Sequence, residues 1–457
     1  MKRPDAAAVF AGLALLFGSI FVFLIPPFQS PDEPNHFLRA FQVSEGVFFP
    51  ETADRRLGGN LPASLTQVCD SFSFLKMNYD ARLNKKLIIN CLKIPLDKTR
   101  RAFADFPNTA IYAPTAYLPQ AIASGALRIC GGTPLEILYV ARLSNLLFWV
   151  LLVSAAIRMM PFAQHLLAAI ALLPASLIIA ASANADVVTN GLCWWLTASF
   201  FRLAFVRPAP ASAIFAKQLI AFIIVCANKL IALPLVLLHL LHHPHESRKK
   251  RMLSFGMLAG AGLAVALLWG GLVSRRFIPY DAYNPAVRDA QTLNEGVDPA
   301  RQLAFTRAHP LDFARTAAVS AVRALPSIAA HFAGKFGWEK NYLHPAWLVM
   351  LWLALASTAA STANPVSAGQ RMTTAAVAIL YIGMFSVTMY VLWCPVGALE
   401  LTNFQGRYFV PVAPVAALVF ASGWLRRFQR KIGWFAVAVL SGGNIAMAFA
   451  VWQRYYG

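Results

Sequence analysis

Two adjacent carboxylates stand in the stretch Pro31-Asp32-Glu33-Pro34-Asn35-His36-Phe37-Leu38-Arg39-Ala40, just after an apolar run at 6–25 and the pair Pro26-Pro27. A base beside a low-dielectric boundary has its pKa pushed toward a useful range. Asp32 and Glu33 therefore suit a general base acting on a substrate that is half dissolved in lipid. Pro34 fits the first turn of a helix, and a carboxylate ahead of it favours the helix N-terminus. One of the pair could thus do no more than cap a helix over 34–45. His36, one turn on, is more often a helix-surface residue than a ligand.

Three further polar positions interrupt apolar sequence. Asp186 closes Ser182-Ala183-Asn184-Ala185-Asp186. It is either the N-cap of a helix from Val187 or a second carboxylate that binds the acceptor or a metal ion. Lys229 lies inside an apolar stretch, where a charge is expensive and function is the default reading; the alternative is snorkelling to the surface. Arg407 stands in Gln405-Gly406-Arg407-Tyr408-Phe409-Val410-Pro411. Arginine can hold phosphate with two parallel hydrogen bonds, or anchor a span end together with Tyr408. A base with phosphate-binding cations describes transfer from a phosphate leaving group. No Walker loop, zinc signature or serine nucleophile elbow competes with it.

The elements that position these residues are membrane helices. The chain has 457 residues, 58% hydrophobic and 13% charged, against roughly 25% charged in a soluble domain. Apolar runs fall near 6–25, 111–130, 139–157, 163–182, 187–206, 213–241, 252–274, 343–361, 372–394, 408–425 and 432–452. The formal charge of +20 gathers at span ends and in one long loop. Its expected partners are anionic membrane lipids or phosphate-bearing substrates, not nucleic acid. Met1-Lys2-Arg3 resembles the start of a signal peptide, but Pro26-Pro27-Phe28 is no small-residue cleavage site, so 6–25 is expected to be an uncleaved anchor.

Basic residues in short loops face the cytoplasm. Lys2 and Arg3, Arg248-Lys249-Lys250-Arg251, and Arg426-Arg427 with Arg430-Lys431 therefore belong inside, with weaker signals from Arg158, Arg202, Arg207 and Arg371. They agree if 111–130 does not cross, as Tyr112, Pro114, Tyr117 and Pro119 suggest for an interfacial helix. They also require 213–241 to be a hairpin. Its tip, Asn228-Lys229, would then reach the outer surface, where the lysine is hydrated. Eleven crossings follow, with outer loops at 27–138 and 275–342, and an amphipathic stretch at 311–333 lying on the membrane. The whole chain, 1–457, reads as a single membrane domain, all-α and polytopic. Cys130, Cys193, Cys226 and Cys394 read as packing residues. Cys69 and Cys91 share the first loop, where a disulfide or two free thiols are equally compatible with an oxidising compartment.

The segments Pro31–Ala40, Tyr112-Ala113-Pro114-Thr115-Ala116-Tyr117-Leu118-Pro119-Gln120 and Gln405-Gly406-Arg407-Tyr408-Phe409 resemble a bacterial multipass family catalogued as a domain of unknown function (number 2142). The likeness runs from the first span to about residue 425. That family in turn resembles C-fold (GT-C) membrane glycosyltransferases. The resemblance implies an acidic base in the first outer loop, juxtamembrane helices after it, and a sugar donor carried on polyprenyl phosphate. It places Asp32 as base with Glu33 as fallback. His36, Tyr112, Asp186, Lys229, Gln405 and Arg407 become substrate- or phosphate-binding positions. It leaves a divalent metal (magnesium or manganese) open, since the second acidic site is a single Asp. The implied acceptor is an envelope glycan or glycolipid, at the outer face of a bacterial inner membrane. A flippase or exporter of lipid-linked saccharide, or a non-catalytic scaffold in envelope polysaccharide assembly, would use the same cations without a base. An exporter usually carries repeated halves, and none is visible here.

Overall fold

A computed structural model describes residues 5–206, 211–241, 247–338 and 340–457. The basic start Met1-Lys2-Arg3 and Arg207 lie outside the described residues. Helix α1 (Ala6–Leu24) begins where the Asp5 carboxylate accepts the Ala7 N–H at 3.0 Å. It ends before Pro26-Pro27, which cannot continue a helix. A sharp turn leads into α2 (Glu33–Ser44).

The first loop then departs from the all-helical expectation. Strands β1 (Glu51–Ala53), β2 (Arg56–Pro62) and β3 (Arg101–Asp105) form a small antiparallel sheet in that order. Asp54 and Arg55, both at positive φ, make the tight turn between β1 and β2, the geometry that two-residue hairpins favour. Helices α3 (Ala63–Ser71), α4 (Lys85–Leu92) and α5 (Pro107–Ala110) complete this layer. Cys69 and Cys91 are buried as separate thiols.

Segment 111–130 is not one helix. Pro114 opens a 3-10 turn (Pro114–Tyr117), and α6 (Leu118–Ile129) follows with only 12 residues. At 1.5 Å per residue it reaches about 18 Å, short of a 30 Å hydrocarbon core. Cys130, expected to pack, is exposed at its end.

Helix α7 (Pro134–Met159) starts with a reciprocal cap: the Thr133 hydroxyl accepts the Glu136 N–H and the Glu136 carboxylate accepts the Thr133 N–H. It packs on α1, α6 and α10 (Asp186–Phe205). Between α7 and α10, the expected span 163–182 is broken by Pro174 into α8 (Gln164–Ala171) and α9 (Pro174–Ala180).

The hairpin expected at 213–241 is present. Helix α11 (Ala211–Asn228) stops at Lys229, and a 3-10 stretch (Leu230–Leu240) returns beside it. The rings of Phe215 and His239, near its two ends, come within 6.3 Å. After α12 (Arg248–Ser274) come α13 (Pro299–Ala308) and α14 (Pro310–Gly334), the latter covering the amphipathic stretch. The chain closes with α15 (Pro345–Ser361), α16 (Ala368–Trp393), a 3-10 turn (Gly406–Val412), α17 (Ala413–Phe420) and α18 (Gln429–Tyr455).

Among the described residues, five helices are long and apolar enough to cross a membrane: α1, α7, α12, α16 and α18 with its leading turn. Helix length therefore does not carry the expected eleven crossings. The other runs are shorter, broken by proline, or more polar. One hydrophobic core nevertheless runs from α1 to α18, and the helix ends that meet at its rim build the site.

Candidate functional site

The two adjacent carboxylates part company at one backbone torsion. Asp32 has φ 62° and ψ 4°, a left-handed conformation, and its side chain makes no capping bond to α2. Such a conformation costs about 1–2 kcal/mol for a non-glycine residue, so the surrounding contacts must hold it. They send the two side chains to different places.

Glu33 goes into the core. Its carboxylate receives Arg142 Nε at 2.8 Å and Nη2 at 2.6 Å, and both side chains are fully buried. Glu33 Oε1 also accepts the Ala183 N–H at 2.9 Å. Arg142 donates further to the carbonyls of Val22, Ile25 and Pro26. This cluster ties the end of α1, the middle of α7 and the 182–184 loop together. Glu33 is a structural anchor, which removes it as a fallback base.

Asp32 goes into a cavity. Its Oδ2 accepts from Arg407 Nη2 at 2.9 Å, and its Oδ1 from Asn108 Nδ2 at 3.3 Å. Asn108 is steered in turn by Asn35 Nδ2, 2.5 Å from its Oδ1. The cavity holds about 210 Å³, and Asp32, His36, Tyr112, Asp186, Gln405 and Arg407 all line it. Residues far apart in sequence thus converge on one space.

Arg407 is placed by Gly406. A Cβ there would lie 2.3 Å from the Phe332 backbone nitrogen, so only glycine lets this turn pack on α14. Trp194 and Tyr381 donate to the carbonyls of Val410 and Tyr408, both at 2.8 Å, and fix the rest of the turn. The buried Arg407 Nε has no partner among the described residues. Gln405 donates to Asn403 Oδ1 at 2.5 Å.

Asp186 and Lys229 form the second ion pair, at 2.5 Å, with both side chains 11% exposed. Lys229 is therefore not hydrated at the hairpin tip as expected. Nor is Asp186 a cap: Asn184 Oδ1 accepts the N–H groups of Asp186 and Val187. Asn228 accepts from Thr115 Oγ1 at 2.7 Å, which fastens the tip to the Pro114–Tyr117 turn. The Lys229 ammonium lies 5.9 Å from the Tyr112 ring and 5.6 Å from that of Tyr408.

His36 is buried, not a helix-surface residue, and its Nδ1 is 2.9 Å from the Tyr117 hydroxyl. Burial, with help from Arg407 and Lys229, pushes its pKa down to about 4 despite Asp32 and Asp186. Burial raises the Tyr112 phenol to about 12. Both side chains are therefore neutral at pH 7.

Among the described residues, no three of His, Cys, Asp and Glu converge as a metal-binding group. Asp32 and Asp186 each already face a cation. This donor set does not fit a divalent ion.

The matched segments carry this geometry, and the comparison with known families covers nearly the whole chain. The chain belongs to the family described as predicted membrane protein (DUF2142), which matches residues 15–416. No curated protein and no solved structure matches it.

The family match takes in the cavity residues that sequence reasoning missed. Lys335 and Trp338 come from the end of the second loop, Trp393 from the end of α16, and Asn108 from α5. Lys335-Phe336-Gly337-Trp338 does carry a signal, a basic and aromatic cluster just past an amphipathic helix. Asn108 carries none, because asparagine after proline reads as an ordinary helix start.

Proposed function

We propose that this protein is an inverting glycosyltransferase of the GT-C kind. It moves a sugar from a polyprenyl-phosphate donor to a hydroxyl of an envelope glycan or glycolipid at the outer face of a bacterial inner membrane. The carrying observation is that Asp32 turns away from the helix it precedes and into a cavity that Arg407 and Asp186 also line, with Lys229 paired to Asp186 behind it.

The chemistry then follows from the residues. Asp32 accepts the proton of the acceptor hydroxyl. The oxygen attacks the anomeric carbon as the bond from that carbon to the phosphate oxygen breaks, so configuration inverts and polyprenyl phosphate leaves. Arg407 keeps donors beyond the one it gives Asp32, and Lys229 keeps two beyond Asp186. Both can take up the charge that develops on the phosphate, and electrostatic help of this kind often contributes more to catalysis than any other effect. A positioned base adds about 10²–10⁴-fold. Trp338 and Trp393 offer apolar faces for a sugar ring.

The test supplies purified protein with polyprenyl-phosphate sugars and follows release of polyprenyl phosphate. Release that Asp32→Asn abolishes, with donor binding retained, supports the enzyme. Near-normal turnover in that variant refutes Asp32 as the base. Translocation without release would make the protein an exporter, and neither activity would leave a scaffold.

A further inference from the structure

A second cleft lies at the far end of α1. It holds about 150 Å³ between the starts of α1, α8 and α18 and the end of α15, and its walls include Ala6, Ala169, Leu172, Gly433 and Leu440. The 19 residues of α1 cover about 28 Å. The candidate site is at the other end, where Arg142 binds the Val22 and Ile25 carbonyls. The cleft therefore belongs to the opposite membrane face.

Its mouth is cationic. Arg430 lines it and is exposed, with Arg426, Arg427 and Lys431 beside it in sequence. The nearby carboxylate of Asp5 already faces Arg158 at 3.7 Å. Trp424 and Trp434 in the same segment are 82% and 58% exposed, and tryptophan settles at headgroup level. A Cβ on Gly433 would meet nothing within 4 Å, so the slot is open beside it. Apolar slot, basic rim and aromatic belt together match a molecule with a hydrocarbon chain at one end and a negative charge at the other.

We infer that this cleft binds an anionic phospholipid, with one acyl chain in the slot and the headgroup phosphate against Arg430 and its basic neighbours. A cavity of this size can take up a benzene ring, so it admits about six carbons of chain. A zwitterionic lipid fits the slot but carries no net charge for the rim, and a soluble phosphate fills no slot.

The experiment measures thermal unfolding of the full-length protein in detergent, titrated with phosphatidylglycerol, with phosphatidylcholine of the same chains, or with glycerol phosphate. Only phosphatidylglycerol should raise the midpoint saturably. Gly433→Leu, which fills the slot, should weaken its apparent affinity tenfold or more. Arg430→Gln should weaken it about fivefold, the effect of one cation at an anionic surface. The inference is overturned if phosphatidylcholine matches phosphatidylglycerol, if glycerol phosphate alone gives the shift, or if both variants respond as the native protein does. A concentration-dependent dimer that Gly433→Leu abolishes would also overturn it, by giving the cleft to a second copy. Should Gly433→Leu itself lower the lipid-free midpoint, Arg430→Gln, on an exposed side chain, decides the matter.

Discussion

Replacing Glu33 and replacing Asp32 should have opposite consequences, although the residues are neighbours. Glu33→Gln keeps the shape and removes the charge. Arg142 would then be fully buried with no counter-charge, a situation that costs about 3–5 kcal/mol. Three carbonyls still solvate the guanidinium, which places the loss at the lower end, about 3 kcal/mol. Glu33→Ala also strands the Ala183 N–H and adds about 1–3 kcal/mol. Replacing both members of the pair by methionine should recover part of the loss, because no unpaired charge remains. Asp32→Asn acts on a side chain still 18% exposed, and asparagine tolerates the left-handed backbone. Its cost should stay well below that of Glu33→Gln, at about 1.5 kcal/mol for one weakened hydrogen bond to a charge, while sugar transfer disappears. Chemical or thermal unfolding in detergent reads the stabilities without any substrate. An unchanged midpoint for Glu33→Gln, or an equal fall for Asp32→Asn, would refute the division between anchor and base.

Four further expectations can be checked together. Asn108→Ala leaves Arg407 on Asp32 but removes the Oδ1 donor, so transfer should fall about tenfold at unchanged stability, by the weight of one hydrogen bond to a charge; steady-state kinetics would show it. Gly406→Ala should displace Arg407 through its clash with α14, and polyprenyl-phosphate binding should weaken with it. Arg407→Lys should not rescue that binding, since a lysine cannot serve Asp32 and phosphate with separate donors of one planar group. His36 protonates near 6.5 when unfolded and at about 4 when folded. Between those values the unfolded chain binds more protons, so stability is complete above pH 6.5 and is lost toward pH 4. The loss is about 3 kcal/mol, and His36→Gln should flatten that part of the unfolding profile against pH.

Much of this arrangement is legible in the sequence because single residues announce breaks. Pro114 and Pro119 mark 111–130 as something other than a span, and Asn228-Lys229 marks the hairpin tip. The signals that failed were those whose meaning depends on a distant partner. Arg142 stands in the apolar run 139–157, where a charge demands a partner, yet nothing local points to Glu33. Asp186 looks like a cap, but Asn184, two residues earlier, takes that task. Pro174 breaks 163–182 as firmly as Pro114 breaks its own segment, although hydropathy alone reads straight through it. The sheet escaped because Asp54-Arg55 lacks the glycine that usually announces a two-residue hairpin turn.

The Glu33 carboxylate also binds the loop that leads to Asp186, through the Ala183 N–H. The two carboxylates facing the cavity are therefore both surveyed from one benchmark, which lies one residue from Asp32 and, through Ala183, three residues from Asp186. A shift of that benchmark moves both walls of the cavity in concert, so their separation is conserved even when their position is not. The spacing between the proposed base and the second ion pair should thus vary less than the position of either in the molecule.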